Sequence, residues 1–389
     1  MSELIVDKLQ VNTQLSIPQY TQAQRNALSV PQGTLIYLTN TDDAGLQVWD
    51  GSEWIGLAGG AGLYDFINAT FNNGNITGAV GPTLSQARNA MAGQGVNNWN
   101  TNSLYYNVDS NGVQSWTVPK SGTYRFLVAG AKGGEGNAVN NNAGRSSGRG
   151  AMMRGEWTLE EGQVYNIIAG VNPATSGEGG GGGGGSFVWS ASTGEPLIIA
   201  GGGGGNGDTY YGTIALSKGG DGLTGTSGGN SASGSGTGGS NGNGGGSDNS
   251  GGGPGGGGGF ATNGANGSVG DGGTAAIGGG RGGNSNFGGN SSTTNAGGHG
   301  GGGGANQSSN DAEGAGAGGG YSGGGASGSS DPGAGGGGSF LASGGSNYAT
   351  SDGSYNISGS EPHSSHTGSV SNLGTYNSGQ GYVTVTFIS

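Results

Sequence analysis

The two ends of the chain carry short segments in which hydrophobic and polar residues alternate, and a long glycine-rich stretch separates them. Alternation with a period of two is typical of β-strands that bury one face. Near the amino terminus this pattern predicts a small β-meander, in which Asp50 and Gly51 have the turn chemistry of a tight hairpin. The predicted segments are 16–28, as a short helix or turn, and the strands 34–39, 46–49 and 53–55. A meander of this size is marginally stable by itself and would gain from oligomerisation.

The next part of the chain predicts a larger set of strands, preceded by a short helix at 83–91. Short strands at this spacing favour an antiparallel β-sandwich. The last segment, 381–388, alternates cleanly, and its best partner strands lie before residue 200. We therefore expect the glycine-rich stretch to be an insertion between strands of one sandwich rather than a tail. The other predicted strands are 105–108, 114–118, 123–129, 152–159 and 163–169.

Glycine provides 103 of the 389 residues and occurs in unbroken runs, at 179–185, 201–205, 255–259 and 300–304. Because glycine loses more backbone freedom on folding than any other residue, such runs either stay disordered or pack backbone against backbone. A Gly-X-Y period is missing, and nine prolines are too few, so collagen is excluded. We expect a bundle of polyglycine type II helices, whose sideways N–H and C=O groups bond to neighbouring helices. Low-complexity disorder is the alternative.

These patterns predict a mainly β protein: an antiparallel β-sandwich with an inserted bundle of polyglycine type II helices, preceded by a small N-terminal β-meander. Hydrophobic residues make up 30% of the chain, so we expect no large conventional core outside the glycine-poor ends. The predicted domains are 1–60 for the amino-terminal module, 61–175 together with 346–389 for the sandwich, and 176–345 for the glycine-rich bundle.

Charge and composition narrow the classes of partner. The formal net charge is −12, which disfavours nucleic acid, because nucleic-acid binding depends on Lys and Arg neutralising phosphates. The chain has no cysteine, which excludes disulfides, thiolate metal sites and cysteine nucleophiles. No segment resembles a signal peptide or a membrane span, so we expect synthesis in the cytoplasm without export and no membrane insertion.

Catalytic patterns are weak throughout the sequence. His363 and His366 lie in a polar loop near Glu361, and His299 lies beside a glycine run, where it is predicted to be an edge or helix-end residue. Glu160 and Glu161 lie between two predicted strands, which favours a solvent-facing turn over an acid–base pair. Gly-x-Gly-x-x-Gly matches arise by chance in polyglycine, and no P-loop is present. We expect no enzyme activity, no cofactor and no metal.

The segment 15–57 resembles a short module that is common in bacteriophage tail fibres and other virion appendages. The resemblance covers about forty residues and implies attachment to other virion proteins or trimerisation through the amino-terminal module. It rests on Pro18 and the runs 21–28 (Thr-Gln-Ala-Gln-Arg-Asn-Ala-Leu), 33–37 (Gly-Thr-Leu-Ile-Tyr) and 46–54 (Leu-Gln-Val-Trp-Asp-Gly-Ser-Glu-Trp).

Residues 63–389 resemble the glycine-rich ectodomain of the anaplastic lymphoma kinase receptor family and phage adhesins built in the same way. The resemblance implies a β-sandwich that carries an inserted polyglycine helix bundle. The chain has no cysteine, signal peptide, membrane span or kinase domain, which favours the phage proteins over the receptors, and 71–84 also looks like phage fibre sequence. The matching motifs lie at 116–125, 128–134, 148–151, 197–204, 320–324, 335–340 and 381–384.

These resemblances imply a phage virion appendage protein, a tail fibre or its receptor-binding tip. As a homotrimer it would adhere to a glycan or outer-membrane protein of the bacterial surface by multivalent non-covalent binding. A structural head fibre or capsid knob without receptor binding is the first alternative. A surface-polysaccharide depolymerase and a cellular signalling ectodomain are the others.

Candidate receptor-binding residues lie in polar loops between the glycine runs, since loops on a rigid scaffold usually carry binding residues. Asp208, Tyr210 and Tyr211 combine a carboxylate with two aromatic rings, which suits hydrogen bonding to a sugar and stacking on it. Asn306 and Gln307 belong to a second polar loop. The alternative for the two tyrosines is that they cap the end of the bundle.

Overall fold

A computed structural model places two compact units along the chain, Met1–Asp65 and Phe66–Ser389. Each unit is described by itself. The described residues are 17–39, 45–58, 63–92, 94, 96–136, 146–174, 179–207, 217–248, 253–285, 295–306, 314–328, 332–351, 371–373 and 377–389.

The first unit contains the predicted meander and one further edge strand. Its sheet has the order β1-β2-β3-β4, in which β1 runs parallel to β2 and the other pairs are antiparallel. The short helix α1 begins in a capping box, in which the Gln24 amide donates to the Thr21 Oγ1 at 3.3 Å and the Thr21 amide donates to the Gln24 Oε1 at 2.8 Å. The elements are β1 Gln19–Tyr20, α1 Gln22–Asn26, β2 Leu35–Leu38, β3 Gly45–Trp49 and β4 Trp54–Ala58.

The hairpin between β3 and β4 follows the sequence prediction closely. The Asp50 Oδ1 accepts the backbone N–H groups of Ser52 and Glu53, each at 2.7 Å, which fixes the turn. Gly51 has a φ of 103°, a left-handed conformation that glycine adopts without strain. The turn brings the rings of Trp49 and Trp54 to 5.5 Å from each other across the hairpin.

The second unit contains two six-stranded, mainly antiparallel sheets, which agrees with the predicted sandwich. One sheet has the order β13-β12-β11-β10-β7-β6 and the other has the order β15-β14-β9-β8-β16-β5. The helices are α2 Leu84–Ala90 and the 3₁₀ segments Val96–Thr101 and Ala276–Gly278. The strands are β5 Asn68–Phe71, β6 Tyr106–Val108, β7 Gln114–Thr117, β8 Gly122–Ala129, β9 Met152–Leu159, β10 Val164–Ile168, β11 Ser186–Ser190, β12 Pro196–Ala200, β13 Phe340–Leu341, β14 Ser346–Ser351, β15 Ser371–Asn372 and β16 Tyr382–Phe387.

Aromatic side chains fill the space between the two sheets. Trp116 on β7 is fully buried and makes edge contacts with two rings of the facing strand β8, Tyr124 at 5.7 Å and Phe126 at 6.4 Å between centroids. Phe71 on β5 and Tyr106 on β6, 6.1 Å apart, extend the cluster. Edge-to-face contacts of this kind add to the free energy gained from area burial.

The chain returns to this sandwich after the glycine-rich stretch. Strand β16 pairs antiparallel with β8 and with β5, so the predicted partners before residue 200 are confirmed. The predicted boundary of the bundle was too wide, however, because β11, β12 and β13 lie inside 176–345 and complete a sandwich sheet. Phe187 and Trp189 of β11 and Ile199 of β12 belong to a hydrophobic cluster that also contains Phe260 and Ala276 of the glycine-rich stretch, with Tyr321 packed against it.

The glycine runs form extended segments that bond sideways to distant parts of the chain. The Gly182 amide donates to the Gly303 carbonyl at 2.9 Å, and the Gly303 amide donates to the Ala317 carbonyl at 2.8 Å. A methyl group on Gly182 would lie 1.8 Å from the carbonyl oxygen of Ala317, so only glycine permits this approach. The backbone N–H and C=O groups of neighbouring segments therefore find hydrogen-bond partners without forming regular strands. The identity of the segments as polyglycine type II helices stays a prediction.

Candidate functional site

One face of the amino-terminal sheet is apolar and open to solvent. The pairing register places Leu35, Val48 and Ile55 in one row across β2, β3 and β4, and Tyr37 lies beside Leu46 in the next row. Leu35, Tyr37 and Ile55 are exposed by 40%, 41% and 43%. We call these five residues the apolar face.

The opposite face of the same sheet is covered. Ile36 and Leu38 are buried, and so is the amide side chain of Gln47, which pairs with Ile36 in the register. The Arg25 Nη1 of α1 donates to the Gln47 Oε1 at 3.1 Å and closes this side. The sheet therefore buries one hydrophobic face within the unit and leaves a second one without cover from the described residues. Contiguous exposed apolar surface of this kind marks interaction sites in soluble proteins.

A sequence signal for the apolar face exists in the run Leu35–Leu38, where every position is hydrophobic. A strand buried on both faces reads as a continuous apolar run, whereas a half-exposed strand alternates. The sequence prediction treated this run as a strand of the meander and linked the module to trimerisation, but it did not single out these side chains.

Most of the predicted receptor-binding residues lie outside the described residues; these are Asp208, Tyr210, Tyr211 and Gln307. Asn306 is described, and it is only 2% exposed. Its backbone N–H donates to the Gly314 carbonyl at 3.2 Å, and its backbone carbonyl accepts a hydrogen bond from the Asn295 Nδ2 at 3.2 Å. Asn306 thus lies buried at the end of a glycine segment rather than exposed in a loop, and its role in receptor binding stays a prediction.

The histidine prediction is corrected as well. His299 is fully buried rather than at an edge, and its Nε2 lies 3.0 Å from the Gly279 carbonyl oxygen. Burial lowers the pKa of His299 to about 4, so the ring is neutral near pH 7 and donates from Nε2. The Nδ1 has no hydrogen-bond partner among the described residues. His363 and His366, with Glu361, lie outside the described residues.

The two adjacent carboxylates considered in the sequence, Glu160 and Glu161, lie at the surface of the larger unit. Glu160 and Glu161 lie exposed in the turn between β9 and β10, as predicted, and the Glu161 amide bonds to the Ser121 Oγ at 3.0 Å. Across the described part of the chain, no cluster of three His, Asp or Glu side chains could hold a metal ion. Among the same residues, no helix is long and apolar enough to cross a membrane.

Comparison with protein families gives a match over the part of the chain that includes the apolar face. Residues 5–79 match the family model of the phage tail-like trimerisation region. The match contains all strands of the first unit and reaches β5 of the second, and it supports a virion-associated, phage tail-type structural protein that forms a homotrimer. No curated protein matches the chain. The family match ends before the glycine-rich stretch, so the resemblance of that stretch to the receptor ectodomain stays a prediction.

Proposed function

We propose that this chain is a subunit of a trimeric phage tail appendage that adheres to the bacterial surface by multivalent, non-covalent binding. One observation carries the proposal: Leu35, Tyr37 and Ile55 are exposed hydrophobic residues on one sheet face, and all lie within the matched trimerisation region. Association of three copies through this face would remove its apolar surface from water, which is the main driving force of protein association.

Trimerisation would display three copies of the larger unit on one particle. Weak sites linked in this way gain about 10²–10⁴ in overall affinity without any new contact, provided that they can bind at the same time. The larger unit suits this task because paired sheets and lateral backbone bonds give it a fixed frame for binding residues. We propose adhesion without catalysis, in keeping with the exposed turn position of Glu160 and Glu161.

Binding of the purified full chain to cells tests the proposal. The labelled protein is incubated with a panel of bacterial strains, including those on which the parent phage forms plaques, and bound label is measured by flow cytometry. We expect saturable binding to susceptible strains, and unlabelled protein should slow adsorption of the phage. A trimeric protein that binds no strain would overturn adhesion and would favour a purely structural fibre.

A further inference from the structure

A row of polar side chains crosses the outer face of one sandwich sheet. Asn107 on β6 pairs with Ser115 on β7, Ser115 pairs with Asn166 on β10, and Asn166 pairs with Trp189 on β11. Neighbouring residues in these strands, such as Tyr106 and Trp116, point into the sandwich core. Because successive side chains alternate between faces, the polar row points away from the core.

Two segments outside the sheet turn this row into a cavity of about 330 Å³. One is the loop after β6, which contributes Asp109 and Asn111, and the other is the 3₁₀ segment with Ile277, which is 56% exposed. The volume falls within the range of about 300–1,000 Å³ that is usual for small-ligand sites. The edge of Trp189 lines the cavity beside Asn166.

Several polar atoms around this cavity are not used by the fold. The Asn166 side chain has no hydrogen-bond partner among the described residues, and the Nδ2 of Asn107 has none there either. The Asp109 Oδ1 accepts the amides of Asn111 and Val113 at 2.8 and 2.9 Å, which fixes the carboxylate and leaves its Oδ2 without a partner in the described structure. The site thus offers amide donors and acceptors beside an oriented carboxylate.

The chemistry of the cavity favours an uncharged polyhydroxy ligand. Amide and carboxylate groups can bond to neighbouring hydroxyls, and Trp189 and Ile277 supply apolar surface for the C–H groups of a sugar ring. Among the described residues no Lys or Arg lines the cavity, and Asp109 carries a negative charge there, so the site would repel phosphate and carboxylate groups.

We propose that the cavity between Asn107, Asn166, Trp189 and Ile277 binds a neutral saccharide unit of a bacterial surface glycan. The proposal rests on the proposed function and adds to it the ligand class and the place of the contact. It moves the candidate receptor contact from the glycine-rich loops to the outer face of the sandwich.

A glycan array with a matched pair of variants tests the site. The full chain is applied to purified neutral bacterial polysaccharides and to anionic ones, and binding to cells is measured in parallel. Asn166→Ala removes the unused amide, whereas Asn89→Ala alters a second Asn-lined depression near α2 and serves as the control. Thermal unfolding of both variants verifies that they fold like the unaltered chain.

We expect binding to a neutral polysaccharide, weakened at least about tenfold by Asn166→Ala and unchanged by Asn89→Ala, since hot-spot truncations have effects of this size. If no arrayed glycan binds, a tenfold loss of cell binding in Asn166→Ala alone would still support the cavity. If the two variants bind cells or glycans equally, the cavity is not the binding site, and the proposed function is unaffected. Binding to anionic glycans alone would overturn the ligand class. Loss of all cell binding by the unaltered chain would overturn the proposed function itself.

Discussion

His299 is held by backbone from distant parts of the chain. A methyl group on Gly81 would lie 2.7 Å from its imidazole, and Gly279, whose carbonyl accepts the Nε2 proton, has a φ of 99°. The Nε2–H group of the imidazole therefore bonds to a backbone carbonyl in the same way as the backbone N–H groups of the neighbouring glycine segments do. The ring occupies this position as a neutral hydrogen-bond donor rather than as a titrating base.

This position predicts a pH dependence of stability. Burial lowers the pKa of His299 to about 4, and the backbone oxygens of Gly279 and Asn111 and the charge of Asp109, which raise the pKa, do not offset burial. In the unfolded chain the pKa is near the ordinary 6.5, so as the pH falls from 6.5 to 4 the unfolded state binds the proton first. The free energy of unfolding should then fall by up to about 3 kcal/mol over this range, as measured by urea denaturation with Trp fluorescence.

His299→Gln provides the comparison for this prediction, because glutamine keeps an N–H donor and does not titrate. We expect the variant to be less stable at pH 7 but to lose less stability between pH 6.5 and 4. Parallel pH profiles of the two proteins would contradict the assignment.

For individual residues, the sequence predicted the turn positions well and the non-local contacts poorly. Asp50 and Gly51 act through neighbours within three residues, so their pattern is readable. His299 and Asn306 are buried by segments that are remote in sequence, and nothing in their local neighbourhood reveals this. The saccharide cavity was missed for the same reason, since strand register alone brings Asn107 and Asn166 together.

At the scale of elements, the glycine segments depend on close backbone approach. Gly182→Ala would place a methyl group 1.8 Å from the Ala317 carbonyl oxygen, and a backbone atom cannot move away like a flexible side chain. We expect a loss of at least about 3 kcal/mol in the free energy of unfolding, the upper end of ordinary overpacking costs. Thermal and urea unfolding of the full chain measure it.

Gly225→Ala is the matched control, because nothing lies within 4 Å of the added methyl group. Its effect should stay within about 0.5 kcal/mol of zero or be slightly stabilising, since alanine restricts the unfolded chain. Equal losses in the two variants would mean that glycine is needed there for another reason than close approach.

Amide hydrogen exchange tests directly whether the glycine segments are hydrogen-bonded or disordered. The amides of Gly182, Gly203 and Gly303 each donate to a carbonyl of another segment at 2.8–2.9 Å, so they should exchange as slowly as the sandwich strands. Exposed turn amides without a hydrogen-bond acceptor in the described structure, such as that of Ser110 in the turn after β6, provide the fast reference within the same sample. Exchange at the rate of an unstructured peptide through these runs would support the alternative of low-complexity disorder.

Sequence patterns gave most of the regular elements, because those elements follow local periodicity. The prediction at 152–159 coincides with β9, and the segment at 123–129 differs from β8 by one residue. The two-residue strands β1, β13 and β15 were not predicted, since pairs of residues carry no period and their pairing is decided by the sheet. The five-residue strands β11 and β12 were assigned to the glycine-rich bundle for another reason: their short apolar runs do not alternate, and glycine runs flank them.

At the scale of the whole molecule, assembly and adhesion are linked through the apolar face. Lysine at Leu35 and Ile55 would place two charges in one cross-strand row of that face, and burying them against another copy is unfavourable. We therefore expect the double variant Leu35→Lys, Ile55→Lys to be a monomer by light scattering. Its affinity for cells should fall by about 10²–10⁴, because only the multivalent gain is lost.

The matched control for this double variant is Val80→Lys with Leu104→Lys, which changes two exposed hydrophobic residues of the larger unit and adds the same charge. It should remain a trimer and bind cells as before. The near-ultraviolet signal of the Trp49–Trp54 pair reports whether the meander is still folded in the first variant. A folded double variant that stays trimeric would place the subunit contact elsewhere in the matched region, and a monomer that binds cells undiminished would exclude avidity as the basis of adhesion.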